Sequence, residues 1–444
     1  MKTLRIGSGA GYGGDRIEPA VDLIRRGNLS YLIFECLAER TIALAQLEKL
    51  GDPEKGYNPL FTYRMAHILP ALKEHPVTII TNMGAANPLA AARKARAMAD
   101  EAGLSHLRIA AVTGDDVMPI LSPYLKENTM ETGRPLQELE NSLISANAYM
   151  GCAGIVEALR QGADLIITGR VADPALVLGP LVYEFGWAMD DWDKLGKGTL
   201  AGHLLECAGQ VTGGYYADPG RKDVPDLWNL GFPIAEVGED GSLTITKLPD
   251  TGGVVNEDTC KEQIVYELQD PARYYTPDCT ADFQMVHVEQ TGPDRVAVYG
   301  ATGHPHNGKL KVSAGYQDCW IGEGQISYGG PNALARAQLA GQVVRKRLMI
   351  TNCQVDELRV DLMGVNSLYG AASKEAPAPQ EVRLRVAART KCREEAEKIG
   401  NEVEALYTNG PAGGGGAVKN VRRIVSVASI LIPQDAVTSH VTML

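Results

Sequence analysis

Thr3-Leu4-Arg5-Ile6-Gly7-Ser8-Gly9-Ala10-Gly11-Tyr12-Gly13-Gly14-Asp15-Arg16 decides the reading of the fold. A β-type apolar run, Thr3–Ile6, breaks into glycine. A segment with Ile17, Val21 and Ile24 at helical spacing then runs over Asp15–Gly27. The same alternation recurs downstream. Short apolar runs at Tyr31–Phe34, Val77–Thr81, Leu107–Val112 and Leu165–Thr168 are separated by stretches long enough for crossover helices, among them Pro88–Gly103 and Asn147–Gly162. Such a pattern predicts an α/β fold whose N-terminal lobe, 1–208, is a parallel sheet with helices on both faces.

From Gly209 the pattern changes to hairpin-like pairs, with Leu243–Lys247 after a Glu-Asp-Gly turn and Met285–Gln290 joined to Arg295–Tyr299 through Thr291–Asp294. A helix is expected over Asn332–Leu348, strands near Leu358–Met363 and Val382–Ala388, a helix over Arg393–Tyr407 and a strand over Arg423–Ile432. This second lobe, 209–444, reads as α+β, with the tetraglycine Gly413–Gly416 as a hinge, a linker or a ligand loop.

The chain has 444 residues, 45% of them hydrophobic and 22% charged, with a net charge of −11. That composition suits a globular protein with a large core, and an acidic field without basic runs excludes nucleic-acid binding. No apolar stretch is long enough to span a membrane, and the N-terminal run turns to glycine too soon for a signal segment, so the expected location is cytoplasmic, without a membrane partner. Eight cysteines at 36, 152, 207, 260, 279, 319, 353 and 392 show no metal-ligand spacing and read as buried or neutral thiols. No metal is required by the sequence, and the cofactor is undetermined.

In parallel sheets ligands bind beyond the carboxyl ends of the strands, so the residues at those exits are the candidates. They are the glycine loop with Gly9, Gly11, Gly13, Gly14 and Arg16; Glu35; Asn82 and Asn87; Asp115; and Arg170 with Asp173. Glu35 and Asp115 are the candidate catalytic carboxylates and the others ligand contacts. The loop fits a backbone nest for a carboxylate or phosphate, a dinucleotide fingerprint through Gly9, Gly11 and Gly14, or a tight turn. Arg170 suits a two-point grip on an anion. Asp173 and Asn87 double as helix caps before proline. His203 and Glu206 share a helical face over Gly196–Ala208, and His304-Pro305-His306 is a turn with two imidazoles. Gln210–Gly214, Lys247–Gly253 and Gly322–Gly324 are expected to face the cleft of the first lobe.

The segments Gly9–Arg16, Phe34–Thr41, Thr81–Pro88 and Thr168–Pro174, with Glu206–Gly214, Leu230–Glu236 and Gly322–Tyr328, resemble the acyclic terpene utilisation AtuA family over nearly the whole chain. The resemblance implies a bacterial catabolic protein acting on a small organic acid or a branched acyl-CoA thioester. Longer relatives carry an extra ferredoxin-like module or pair with a small partner of that type, and this chain is expected to lack the module. A lyase or hydratase, working as a homo-oligomer, is the leading expectation. The alternatives are a nucleotide- or NAD(P)-dependent enzyme and a non-catalytic acyl- or organic-acid-binding subunit that works with a small ferredoxin-like partner protein.

Overall fold

Runs such as Tyr31-Leu32-Ile33-Phe34 and Leu165-Ile166-Ile167-Thr168 carry no polar alternation, and every residue in them is buried. Strands of that kind form where helices cover both faces of a sheet. The computed structural model, which describes residues 2–373 and 379–444, places them so. Thr3–Ser8 (β1), Tyr31–Phe34 (β2), Thr78–Thr81 (β3) and Ile109–Thr113 (β4) are followed by Leu143–Ala148 (β5) and Leu165–Thr168 (β6). All but β5 pair in parallel, in the order β1-β2-β3-β6-β4.

The helices are Glu18–Arg26 (α1), Glu39–Gly51 (α2), Phe61–Glu74 (α3), Pro88–Glu101 (α4), Ala153–Arg160 (α5), Ala175–Phe185 (α6) and Trp192–Glu206 (α7). On α4 the face Ala91, Ala92, Ala95 and Ala99 is fully buried in one core with Phe61, Met65 and Ile68 of α3. The helix expected over Asn147–Gly162 is shorter. Its first residues end β5, which pairs with a later strand, and only Ala153–Arg160 is helical.

Further strands extend this sheet on both sides. Pro233–Gly238 (β7) and Leu243–Lys247 (β8) precede Glu257–Val265 (α8) and five strands: Tyr274–Tyr275 (β9), Thr280–Asp282 (β10), His287–Gly292 (β11), Arg295–Tyr299 (β12) and Thr302–His304 (β13). β7 pairs antiparallel with β1, and β8, β12 and β11 follow in turn, making a mixed ten-stranded sheet rather than a purely parallel one.

The chain divides into two compact units: one from the N-terminus to Gly315 with Val427–Leu444, the other Tyr316–Ser426. The change of pattern at 208/209 therefore falls inside the first unit, because β7 docks on the edge of β1 instead of opening a new core. The elements that remain are Lys309–Gly329 (β14), Ala333–Ile350 (α9), Glu357–Met363 (β15), Glu381–Thr390 (β16), Arg393–Glu404 (α10), Gly414–Pro433 (β17) and His440–Met443 (β18). β18 pairs antiparallel with β4 and closes the far edge of the large sheet.

β14 to β17, with α9 and α10, run βαββαβ in the sheet order β15-β16-β14-β17, which is the ferredoxin-like arrangement. The second compact unit, Tyr316–Ser426, thus has that topology. Three of the four glycines of the tetraglycine run, Gly414–Gly416, begin β17 instead of forming a loop. Among the described residues no helix is long and apolar enough to cross a membrane.

Gly322 and Gly324 serve this second unit. A Cβ at Gly322 would lie 1.9 Å from the Ala396 carbonyl oxygen, and one at Gly324 2.6 Å from Val403 Cβ, so bare backbone lets α10 sit close on β14. Gly322→Val is therefore expected to lower stability by about 1–3 kcal/mol, read as a lower urea midpoint. An unchanged midpoint would mean that α10 does not pack there.

Candidate functional site

Glu35 directly follows the last residue of β2, which carries it to the carboxyl edge of the sheet. Its Oε1 accepts from the Leu37 N–H (2.9 Å) and from Asn82 Nδ2 (2.8 Å), while Asn82 Oδ1 accepts from the Cys36 N–H (2.7 Å). Asn82 is wholly buried and holds the β2 exit rather than facing open space. Burial, and then the charge of Asp173, push the Glu35 carboxyl well above the usual carboxylate range.

Arg170 leaves β6 in the same way. Its backbone N–H donates to Asp115 Oδ2 (2.9 Å), which also accepts from Asn147 Nδ2 (2.9 Å). A Cβ at Gly169 would stand 2.3 Å from Asp115 Oδ1, so glycine is required there. Asp115 is thus wedged behind the Arg170 turn. Burial raises its pKa to about 6 against those two hydrogen bonds.

The Arg170 guanidinium is 2% exposed. Nη1 donates to the Leu37 carbonyl and to Asp173 Oδ1 (3.0 Å), and the planar group lies 3.9 Å from the Tyr149 ring centroid. Nε has no partner. Asp173 therefore pairs with Arg170 instead of capping α6, which starts at Ala175 with Pro174 ahead of it. Burial, opposed by Arg170 and aided by the charges of Glu206 and Glu39, lifts Asp173 to about 7.

Three further side chains complete this wall. Tyr149 donates its hydroxyl to Glu39, and Lys311 Nζ lies 3.0 Å from the same carboxylate oxygen. Burial works against ionised Glu39, but the Tyr149 hydrogen bond and the Arg170 charge outweigh it and bring the carboxyl down to about 2.

α7 supplies the opposing pair. His203 Nδ1 lies 2.8 Å from Glu206 Oε1 and Nε2 lies 3.0 Å from the Ile264 carbonyl oxygen. Burial disfavours the charged imidazole, yet Glu206 outweighs it and His203 is raised above its ordinary value. Glycine again permits the approach, since a Cβ at Gly202 would sit 2.5 Å from Pro174 Cα.

These groups line a cleft of about 680 Å³ within the first unit. A second chamber of about 510 Å³ adjoins it, sharing Gly11, Tyr12, Glu35, Leu37 and Ala38, and is walled otherwise mainly by apolar side chains such as Leu44, Ala45, Tyr57 and Leu60, with Thr41, Glu48 and Asn58 among them.

The glycine loop is built differently from an open nest. The Gly11 N–H donates to Asp15 Oδ2 (3.1 Å), so the chain's own carboxylate takes the anion position. A Cβ at Gly11 would lie 2.2 Å from the Cys207 carbonyl carbon, so bare backbone there lets the end of α7 come close. Gly9 packs on the Phe34 ring, and Gly13 and Gly14 line the apolar chamber. Arg16 lies outside the cleft and donates to the Trp228 carbonyl (3.0 Å). Asn87 caps α4 at Ala90 and donates to the Pro53 and Lys55 carbonyls (both 2.7 Å).

Of the candidates, then, Gly11, Glu35, Arg170 and Asp173 meet in the cleft, with Asn82 and Asp115 as struts behind them. Gln210 also lines the cleft. Lys247 turns to Thr251 and Asp294 instead, while Gly322 and Gly324 pack on α10. His304 and the exposed side of its turn face Asp282 at 3.8 Å. Cys207 is at the cleft wall with its thiol pushed up by burial. Sequence reasoning missed Tyr149 and Lys311, which arrive from the β5 exit and β14 and carry no local motif. Glu39 stood in the Glu35–Arg40 word without being singled out.

A family model described as acyclic terpene utilisation family protein AtuA matches residues 4–443. No curated protein matches the chain. A homoserine dehydrogenase from Thiobacillus denitrificans aligns at 12% identity over 95% of this chain and 96% of that one, with a TM-score of 0.14, too low to bear on fold or function.

Asp115 gives a test of the strut. Asp115→Ala leaves two buried N–H donors unpaired and is expected to cost about 2 kcal/mol, whereas Asp115→Asn keeps an acceptor and costs less. Because the folded-state pKa is raised from 3.8 to about 6, the stability this group contributes is full below the lower value and lost as pH rises through the upper one. The melting temperature of Asp115→Asn relative to wild type should accordingly climb between about pH 4 and pH 7. A difference that stays flat across that range would show that Asp115 does not titrate there.

Proposed function

We propose that this chain, which belongs to the acyclic terpene utilisation AtuA family, is a catabolic enzyme of lyase or hydratase type acting on an apolar-chain organic acid or acyl thioester. The observation that carries the reading is the pair of carboxyls, Glu35 and Asp173, that line the same cleft as Arg170. Glu35 is held well above the carboxylate range and Asp173 near 7, so at neutral pH one can give a proton and the other can take one.

Arg170 steadies negative charge as it develops on the carbonyl or carboxylate oxygen, its guanidinium fixed by Leu37, Asp173 and Tyr149. Asp173 removes the proton from the carbon beside that carbonyl. Glu35 protonates a departing hydroxyl on the next carbon, so a C–H and a C–O bond break, a C=C bond forms and water leaves; the reverse is hydration. The apolar chamber receives the hydrocarbon chain, and its shared wall at Glu35, Leu37 and Ala38 sets the reacting carbons beside the acid. Chain burial far from the reacting atoms supplies binding energy that can orient them.

Deuterium exchange in D2O tests the central step without knowledge of the complete reaction. Acids and thioesters that raise the melting temperature are followed by NMR at the carbon next to the carbonyl. Exchange is expected to accelerate as pH rises through about 7, where Asp173 ionises. Asp173→Asn should slow it at least about 100-fold with the fold retained. If no compound that binds shows exchange, proton transfer by this site is the wrong reading.

A further inference from the structure

The proton-transfer reading leaves one buried atom without a role. Glu206 Oε2 is enclosed and makes no hydrogen bond, although Glu206 lines the cleft and its side chain is 8% exposed. Leaving a carboxylate oxygen unpaired in such a place is costly, and the penalty is relieved only when a donor arrives.

His203 determines what kind of donor that is. Both of its ring nitrogens face oxygen acceptors, Glu206 Oε1 at 2.8 Å and the Ile264 carbonyl at 3.0 Å, and an imidazolium makes both bonds at once. The carboxylate is then already neutralised in charge by its helix neighbour three residues away, while one of its oxygens still lacks a hydrogen bond. An ammonium would bring a second positive charge to a neutral pair and lose its own hydration. A neutral hydroxyl brings only the missing proton donor.

We infer that Glu206 Oε2 is a hydroxyl-binding subsite, and that the ligand class is the hydroxylated one: a hydroxy acid or hydroxyacyl thioester instead of the plain acyl compound. The inference rests on the reading of the cleft as an acid or thioester site, and it names Glu206 as the group that selects the substrate and His203 as its positioning residue. A hydroxyl has the right number of bonds for the task. It donates to Glu206 while its own lone pairs remain free to accept the proton that Glu35 delivers.

Octanoate, 2-hydroxyoctanoate and 3-hydroxyoctanoate, measured by isothermal titration against the full chain, separate the outcomes. Wild type should bind one hydroxylated acid about five- to tenfold more tightly than octanoate, the worth of one buried hydrogen bond. In Glu206→Leu the acceptor is removed and nothing replaces it, so the preference should vanish, whereas in Glu206→Gln the amide nitrogen can donate to the ligand hydroxyl and part of the preference should persist. His203→Gln, which preserves the bulk of the site, should weaken the preference as well. Equal binding of all three acids by wild type would overturn the subsite and leave the acid-binding cleft standing, the result expected if an ordered water satisfies Oε2. A preference undiminished in Glu206→Leu would also overturn it. Failure of all three acids to bind would defeat the cleft reading itself and the subsite with it.

Discussion

A guanidinium taken out of water has to be surrounded by acceptors and π-density, and the demands of Arg170 organise the first unit. Desolvating such an ion costs several kcal/mol, so its partners have to be in place before the charge is tolerable. They come from three stretches: the Leu37 carbonyl after β2 with, one step out, Glu39 at the start of α2; Asp173 on its own turn; and Tyr149 after β5. The backbone at Arg170 is pinned in turn by Asp115 from β4 and, through it, Asn147 from β5. The strand exits are therefore tied to one another by a buried polar network whose centre is one cation. Groups that belong to such a network are coupled, and changing one shifts the titration of the rest.

That coupling explains how one cleft holds carboxyls of such different acidity. Glu39 receives a hydroxyl hydrogen bond, the Arg170 charge and Lys311, and its carboxyl falls to about 2. Asp173 touches the same guanidinium, yet it also faces the charges of Glu206 and Glu39 and settles near 7. Glu35 has two neutral hydrogen-bond donors and the Arg170 charge in its favour, but burial and Asp173 as a like charge outweigh them and raise it well above the usual carboxylate range. Burial pushes all three the same way. The order among them follows from how many positive and negative neighbours each one keeps.

What was legible in the sequence is what parallel-sheet geometry makes local. Glu35, Arg170 and Asp173 stand at strand exits, and an exit is readable from a run of apolar residues ending in a polar one. His203 and Glu206 were legible as an i, i+3 pair, which is what makes their 2.8 Å contact. The glycine loop misled because the residue that fills its anion position, Asp15, lies only four residues beyond Gly11, and because the backbone of Cys207 that crowds Gly11 is nearly 200 positions away. Asp115 looked like a catalyst for the same reason that it makes a strut: a carboxylate at a strand end serves backbone N–H groups as readily as a substrate. Tyr149, Lys311 and the docking of β7 on β1 depend on long-range pairing that no local pattern encodes. The ferredoxin-like order of β14 to β17 was hidden likewise, since strand order is a property of pairing rather than of strand positions.

The glycine-rich segment has a structural reason that does not require it to touch an anion. Gly9 makes room for the Phe34 ring, Gly11 for the end of α7, and Gly13 and Gly14 thin the wall of the apolar chamber. Arg64, fully buried on α3, donates to the Asp15 carbonyl (2.9 Å) beneath the same loop and braces it from below. A loop so packed is a rigid partition rather than a flexible flap. On one side lie Glu35, Arg170 and Asp173 with their hydrogen bonds; on the other lie Leu44, Leu60 and Tyr57. The cleft thus offers polar groups on one side of the loop and mainly apolar surface on the other. On the function proposed above, the two halves of an amphipathic acid would each meet a different lining.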